Sequence, residues 1–362
     1  MTEEQPDRKQ SGFKDKTRLV EARKRLLEAV SPHDRTEAVS EILRQAGAVG
    51  PDSAVRVHTG SELPEGADGV VMIEQVEEFG DEIEVFDAVA EGENVAPVGE
   101  DVERGQRLYD PGHRLRPSDL GLLKSVGIDA VEVSERPTVG VIPTGEELVQ
   151  SDPEPGEVVE TNGLTVSRLV ERWGGTATYR DVVTDDPEAL RAAIQRDLTR
   201  DVVVTTGGSS VGERDLLPEV VADLGEILFH GVALKPGHPV AVGVVEETPV
   251  IMLPGYPVAC IVNAVQFLRP ALKAIGGLPV EEPPTTEARL ARKIRSEPGI
   301  RTFARVKLEA VDGERVATPT RASGSGVLSS VALADGWVAV PEDREGIPEG
   351  ETVSVEDWEW SA

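Results

Sequence analysis

Four polar loops, each following a predicted strand, carry the residues best suited to chemistry. They are PTGEEL (143–148), TTGGSSVGERD (205–215), KPGHP (235–239) and LPGYP (253–257). Glycine-rich loops with hydroxyl groups can bind phosphate oxygens through backbone N–H groups and side chains. Neighbouring carboxylates, with water, can bind a hard divalent cation such as Mg²⁺. Together the loops predict a site for an anionic ligand and a metal.

The loop TTGGSSVGERD is the candidate phosphate site. Its ligands would be backbone N–H groups and hydroxyls of Thr206, Gly207, Gly208, Ser209, Ser210 and Gly212. The loop lacks the lysine and spacing of a Walker sequence, and its glycine intervals do not match a dinucleotide fingerprint. Asp215 then either caps the following helix or binds a metal. A plain tight turn is the alternative, because Gly and Ser are common turn residues.

Two further loops add charge to this prediction. Glu146 and Glu147 of PTGEEL could hold a divalent cation together with Asp215, or they could be acidic residues stabilised at a helix N-terminus. Lys235 is one of only nine lysines in the chain, and His238 follows it within a rigid Pro-Gly turn. This pair could meet an oxyanion, the alternative being a solvated lysine in a surface turn.

Composition excludes several classes of function. The 362 residues include 37 Lys+Arg and 66 Asp+Glu, a formal net charge of −29, which argues against nonspecific binding to nucleic acid or to an anionic membrane. So few lysines on so acidic a chain predict a halophilic protein that needs salt to fold, the alternative being an ordinary acidic protein. Cys260 is the only cysteine and no targeting or spanning segment is evident, so we expect a cytoplasmic protein.

Strands and helices alternate from residue 137 to residue 280, which predicts a doubly wound α/β domain with ligand loops at the carboxyl ends of its strands. Residues 54–103 read as a small β module whose first strand is AVRVH (54–58), and residues 281–362 as a small barrel or sandwich. Helices are predicted at 17–30, at 35–47, and at 118–127 with Ser118 as N-cap. A fourth begins at Pro257 and is interrupted or bent near Pro270.

Taken in order, these motifs resemble the molybdopterin molybdenumtransferases, the MoeA and gephyrin E-domain family. The resemblance covers about residues 50–362. The stretches that carry it are RVHTGSELPEGADGVVMIEQ, GEDVERGQRLYDPGHRL, GVIPTGEEL, ETNG, TDDPEAL, DVVVTTGGSSVGERD, LKPGHPVAVG, LPGYPVA and ASGSGVLSS.

The resemblance implies an enzyme that inserts molybdenum from molybdate into adenylylated molybdopterin with Mg²⁺ and releases AMP. It implies a homodimer of multidomain α/β chains. The domains would be a discontinuous N-terminal domain (1–53 with 104–136), a small β lid (54–103), a MoaB/Mog-like α/β domain (137–280) and a C-terminal β-barrel (281–362).

The family's functional positions fall on particular residues of this sequence. The resemblance implies that Asp215 and Glu146 are acidic residues around the metal, with Glu160 of ETNG beside them and Lys235 as a further catalytic residue. The loop from Thr206 to Gly212 would bind the pterin phosphate or the nucleotide. The remaining binding residues would be Pro254, Gly255, His238, Arg305 and Ser325, of which the last three, with Lys235, would face molybdate.

This sequence departs from the family pattern at four places. Glu146 replaces a usual aspartate, His238 a usual lysine and Tyr256 a common asparagine. Between Ser40 and Ala54 the family carries several tens of additional residues that help to complete a site at the dimer interface. Two alternatives stay open: a non-catalytic molybdopterin-binding paralogue or scaffold, because of the missing segment, and a molybdopterin adenylyltransferase, because that enzyme shares the α/β domain.

Overall fold

The computed structural model describes residues 17–29, 36–37, 54–58, 60–80, 82–86, 88–207, 216–320 and 325–361. The chain divides into two compact units. The smaller unit is Thr36–Val133, and the larger one combines Met1–Arg35 with Ser134–Ala362. All four polar loops belong to the larger unit.

The described helices are α1 Leu19–Glu28, α2 Pro117–Ser125, α3 Asn162–Arg172, α4 Pro187–Asp197, α5 Leu217–Leu224, α6 Pro257–Asn263, α7 Arg269–Ile275 and α8 Ser329–Ala332, with a 3₁₀ turn at Ile73–Gln75 and a π turn at Ala264–Leu268. The described strands are β1 Thr36–Glu37, β2 Val76–Phe79, β3 Glu82–Val85, β4 Val133–Ser134, β5 Thr138–Pro143, β6 Leu148–Val149, β7 Val158–Val159, β8 Thr176–Tyr179, β9 Val202–Thr206, β10 Glu226–His230, β11 Leu234–Lys235, β12 Ala241–Val245, β13 Thr248–Leu253, β14 Thr285–Leu290, β15 Ile294–Arg295, β16 Arg301–Val311, β17 Glu314–Pro319, β18 Gly336–Val340, β19 Gly346–Ile347 and β20 Thr352–Glu356.

A six-stranded sheet in the order β10-β12-β13-β9-β5-β8 forms the centre of the larger unit. Strands β8, β5, β9 and β13 are parallel, whereas β12 and β10 run antiparallel to their neighbours. On β9, Val202 and Val204 pack with residues of α3, α6 and α7, while Val203 packs on the opposite face with α4 and α5. Helices cover both faces, which confirms the predicted doubly wound sheet and agrees with the apolar composition of this strand.

The helical segment after β13 contains the interruption predicted near Pro270. A π turn at Ala264–Leu268 separates α6 from α7, and Pro270 is the second residue of α7. Proline has no N–H to donate to the preceding turn, so the regular hydrogen-bond pattern is broken there. The segment Pro257–Ile275 is long and apolar enough to span a membrane, but 94% of its most apolar window is buried inside the protein, as in a core helix.

The C-terminal strands form a closed barrel in the order β16-β17-β14-β20-β18, with β16 pairing again to β18. The expectation of a barrel or sandwich is thus resolved as a barrel. The two faces of the long strand β16 pack on different clusters: Val306 lies in the barrel core with the partly buried Ala304 and Leu308, whereas Phe303, on the other face, packs with residues of the α/β helices. Phe303 and Trp337 belong to the same buried cluster as the α/β helices, so barrel and sheet share a core.

Several local predictions were wrong. Residues 54–58 form no strand, because no strand among the described residues pairs with this segment to supply ladder hydrogen bonds. Thr36–Glu37 is a short strand rather than part of a helix, and the rest of the helix predicted at 35–47 lies outside the described residues. Within the small β module, β2 and β3 pair antiparallel.

Two helix starts show how the caps work. Helix α2 is capped by Arg116 rather than Ser118, because Pro117 occupies the first helical position and the Arg116 N–H donates to Asp119 Oδ2 at 2.8 Å. Hydrogen bonds from Arg116 and His113 hold the pKa of the Asp119 carboxyl well below its usual range. Helix α4 begins at Pro187, with the Asp186 carboxylate accepting the Ala189 N–H at 2.9 Å.

Candidate functional site

Three of the four polar loops begin side by side at one edge of the sheet. The last residues of β5, β9 and β13 are neighbours in register, with Thr206 lying between Pro143 and Leu253. PTGEEL, TTGGSSVGERD and LPGYP therefore start from adjacent strands, as the parallel order predicts.

Gly207 allows two of these loops to approach closely. Its φ is +132°, and a Cβ added there would lie 2.2 Å from the carbonyl oxygen of Thr144. The Gly207 N–H donates to the Leu253 carbonyl at 3.0 Å, so the same residue also contacts the third strand. Only glycine fits this position without moving backbone.

The KPGHP loop reaches the site from the antiparallel side of the sheet. Strand β11, which contains Lys235, pairs in parallel with the first residues of β16 in the barrel. The Asn263 side-chain amide of α6 donates to the Gly237 carbonyl at 2.9 Å and to the Ala259 carbonyl at 2.8 Å. The loop is thus fixed to the core helix at one side and to the barrel at the other.

A cavity of about 1200 Å³ lies in the larger unit between these loops and the barrel. Eight of the predicted site residues line it: Glu160, Gly207, Lys235, His238, Pro254, Gly255, Arg305 and Ser325. Thr206 is 1% exposed and lies outside the lining, and Glu146 is exposed but its neighbour Glu147 lines the cavity instead. Gly208, Ser209, Ser210, Gly212 and Asp215 lie outside the described residues.

Glu160 is a buried carboxylate, 6% exposed, whose two oxygens are both engaged. Oε1 accepts the Gly163 N–H of α3 at 2.7 Å, and Oε2 accepts a short hydrogen bond from the Tyr179 hydroxyl. Burial and the hydrogen bond to Glu160 raise the pKa of Tyr179 to about 12. Tyr179 was not identified from the sequence, because it is one of several polar residues on a predicted strand with no motif around it.

The basic side chains of the cavity differ in their surroundings. Lys235 Nζ forms an ion pair with Glu297 at 2.8 Å, and both side chains are more than half exposed. Arg305 is partly buried in the barrel wall, with Nη2 3.4 Å from Ser330 Oγ and Nη1 3.5 Å from the Phe303 carbonyl. Burial lowers the pKa of the Arg305 guanidinium. Lys293 and Arg295 also line the cavity and were not identified from the sequence.

LPGYP is connected to both walls of the cavity. The Asn162 amide of α3 donates to the Gly255 carbonyl at 2.6 Å, and the Val258 N–H donates to the Ser325 carbonyl at 3.0 Å. Tyr256 lies at the cavity with its side chain 64% exposed. The sequence motifs ETNG and LPGYP could have pointed to Asn162 and Tyr256 as site residues. The atoms that these loops contact are set by the fold and could not be read from the motifs.

The described part of the cavity offers few metal ligands. Within the described ranges, no three His, Cys, Asp or Glu side chains are grouped as a metal site would need. The cavity presents Glu147 and Glu160, while Asp215 falls in 208–215, outside those ranges. The described residues of the cavity therefore do not by themselves supply a complete set of metal ligands.

Three family models match successive parts of the chain. The MoeA N-terminal region (domain I and II) matches residues 20–127, a probable molybdopterin binding domain matches 140–274, and the MoeA C-terminal region (domain IV) matches 287–358. The second and third matches include both walls of the cavity.

Relatives match over most of their length. A molybdopterin molybdenumtransferase of Bacillus subtilis is 33% identical over 339 residues, 87% of this chain and 78% of its own. A protein of Methanocaldococcus jannaschii, named for molybdopterin biosynthesis, is 36% identical over 313 residues, 83% of this chain and 75% of its own.

Solved structures resemble the fold. A molybdopterin biosynthesis MoeA protein from Pyrococcus horikoshii is 33% identical with a TM-score of 0.70, over 92% of this chain and 84% of its own. A molybdenum cofactor biosynthesis protein from Pyrococcus furiosus is 26% identical with a TM-score of 0.60, over 94% of this chain and 99% of its own.

Proposed function

Since this chain belongs to the MoeA family of molybdopterin molybdenumtransferases, we propose that it inserts molybdenum from molybdate into adenylylated molybdopterin and releases AMP. The observation that carries the proposal is the 1200 Å³ cavity, in which family-motif residues of the α/β domain and the barrel come together. Its size suits a ligand with two ring systems.

The anion-binding roles follow from the chemistry of the lining. Lys235, His238, Arg305 and Ser325 are proposed to hold molybdate, because cations and a hydroxyl donate hydrogen bonds to oxyanion oxygens. Gly207 and the residues after it are proposed to bind a phosphate of the pterin or of the nucleotide. His238 adds positive charge only when protonated, so this wall is less basic than one with two lysines.

The acidic residues are proposed to act beside that wall. Glu160 accepts one hydrogen bond at each oxygen, from Gly163 and from Tyr179, so its carboxylate is held in a set position beside the cavity. Mg²⁺ would then be held by Glu146, Glu147 or Asp215 with water and substrate phosphates. When bound, it neutralises phosphate charge. Removal of Mg²⁺ by EDTA should abolish AMP release and excess Mg²⁺ should restore it.

Four further properties are proposed together with this function: the domain boundaries, the oligomeric state, the cellular location and the response to salt. The domains are those implied by the family: 1–53 with 104–136, 54–103, 137–280 and 281–362. We further propose a homodimer, a cytoplasmic location and a halophilic character that matches the net charge of −29. Full stability after dialysis into low-salt buffer would contradict the last of these.

The function is tested by incubating the protein with adenylylated molybdopterin, molybdate and Mg²⁺, and by measuring AMP and active cofactor. We expect one AMP for each molybdenum inserted, and an Asp215→Ala variant with at least about a hundredfold lower rate. Asp223→Ala is the matched control, because this α5 carboxylate is 70% exposed in a surface ion pair with Arg191.

The alternatives give different results in the same assay. A scaffold would bind the pterin without releasing AMP. An adenylyltransferase would consume ATP and molybdopterin and release pyrophosphate. Equal rates of AMP release for Asp215→Ala and Asp223→Ala would contradict a role for Asp215 in the site.

A further inference from the structure

The cavity has the opposite charge balance to the rest of the chain. The whole chain carries 66 acidic and 37 basic residues. The cavity lining carries two carboxylates, Glu147 and Glu160, and four basic side chains, Lys235, Lys293, Arg295 and Arg305. Two of these basic residues, Lys293 and Arg295, have no role in the proposed molybdate wall. A function for them has to explain why positive charge is concentrated here.

The strand geometry presents these two side chains together. Lys293 and Arg295 flank Ile294, which is 5% exposed and packs in the barrel core. Arg295 lies on β15, which pairs with β19 at Ile294↔Ile347 and Arg295↔Gly346. Lys293 immediately precedes this short strand, and both side chains are exposed in the lining of the cavity whereas Ile294 between them is buried. Residues two apart in an extended chain lie roughly 6–7 Å from each other, so both side chains can reach one anion.

Neither side chain is neutralised by the part of the protein that the structure describes. Lys293 and Arg295 are both exposed and form no hydrogen bond or ion pair with another described residue. The nearest acidic residue in sequence, Glu297, is directed to Lys235 at 2.8 Å. The pair therefore differs from Lys235, whose charge is already matched by a carboxylate.

We infer that Lys293 and Arg295 form a phosphate subsite on the barrel wall of the cavity, separate from the residues proposed for molybdate. An arginine offers two parallel N–H donors to phosphate oxygens, and a lysine adds a point charge beside it. The ligand is a phosphate group of the nucleotide or of the pterin half of the substrate. The inference rests on the proposed function, because a substrate with two linked phosphates leaves one for this subsite when the other binds near Gly207.

The test is ligand binding by the full chain, which needs no turnover. A Lys293→Gln/Arg295→Gln double variant is compared with the wild type and with Lys307→Gln/Arg315→Gln, which removes the same charge from exposed positions of the same barrel outside the cavity. Dissociation constants are measured for AMP, inorganic pyrophosphate and molybdate at about 0.1 M and about 1 M KCl.

We expect the cavity double variant to bind AMP or pyrophosphate roughly tenfold more weakly at the lower salt, with a smaller difference at the higher salt. Molybdate binding should change less than about twofold, and the control should match the wild type. Weaker binding of AMP by the cavity double variant would assign the nucleotide phosphate to the subsite. Weaker binding of pyrophosphate with unchanged binding of AMP would assign the phosphate on the pterin side.

Three results would overturn the inference: equal weakening by both double variants, an equal loss of molybdate binding, or no measurable phosphate binding by the wild type. Because these are equilibrium measurements, they stay distinct from a failure of the proposed function, which would appear as absence of AMP release by the wild type.

Discussion

Gly207 is predicted to tolerate no side chain, and a Gly207→Ala variant tests how the loops of the cavity are held together. The backbone at φ +132° disfavours any L-residue, which costs about 1–3 kcal/mol. The new Cβ would also lie 2.2 Å from the Thr144 carbonyl oxygen, and relieving that overlap by shifting the β5 and β9 ends costs a further 1–3 kcal/mol or so. The free energy of unfolding should fall by about 2–6 kcal/mol in total.

The assay is urea unfolding followed by tryptophan fluorescence. All four tryptophans, Trp173, Trp337, Trp358 and Trp360, belong to the larger unit, so the signal reports the unit that contains Gly207. Urea is chosen over guanidinium because it leaves the ionic strength unchanged. The midpoint should fall by roughly 1 M or more.

Gly255→Ala is the matched control in the same cavity. Its backbone lies outside the left-handed region, and the nearest atom to an added Cβ is the Gly207 Cα at an ordinary 3.5 Å. We expect a change within about 0.5 kcal/mol. If the two variants had the same midpoint, close approach at Gly207 could not be what positions these loops.

Three further predictions concern charge and burial. With a net charge of −29, the urea midpoint should rise between about 0.1 M and 1 M KCl as repulsion is screened, and a constant midpoint would contradict the halophilic proposal. Burial raises the pKa of the Cys260 thiol, so a thiol reagent near neutral pH should react only as the protein unfolds; immediate reaction in the folded state would show that α6 is not a core helix. The pKa of Tyr179 is raised from 10.0 to about 12, so its contribution to stability is complete below pH 10.0 and is lost as pH rises through about 12. A Tyr179→Phe variant should lose less stability than the wild type across that alkaline range, and parallel profiles would count against the hydrogen bond to Glu160.

The strong regular patterns in the sequence predicted the fold of the larger unit. The apolar strand at 202–206 specifies burial on both faces, and that requirement leaves few arrangements other than a sheet between helices. The parallel order then brings the loops after β5, β9 and β13 to one edge, so their proximity could be predicted before any coordinates.

The weakly patterned segments were predicted poorly. Residues 54–58 alternate apolar and polar side chains, but a strand exists only where a partner supplies hydrogen bonds, and short-range pattern does not report the partner. Ser118 is a good N-cap residue in isolation, yet Pro117 moves the helix start and gives the cap to Arg116 with Asp119.

The residues in and beside the cavity that were missed from the sequence owe their positions to tertiary contacts. Tyr179 meets Glu160 from a different element, 19 positions along the chain. Lys293 and Arg295 line the cavity, whereas Ile294 between them enters the barrel core. The sequence alone does not show which of these side chains is buried, because that depends on how the barrel closes. Motifs identify residues that belong to a site, whereas the remaining wall of that site depends on packing.

The most direct test of the cavity as the meeting place of molybdate and pterin is anomalous diffraction at the molybdenum edge from crystals of the protein soaked in molybdate. We predict a molybdenum peak within hydrogen-bonding distance of the Arg305 guanidinium and beside Lys235 or His238, and loss of that peak in an Arg305→Gln variant. A molybdenum peak outside the cavity, or one that persists unchanged in the variant, would contradict the proposed site.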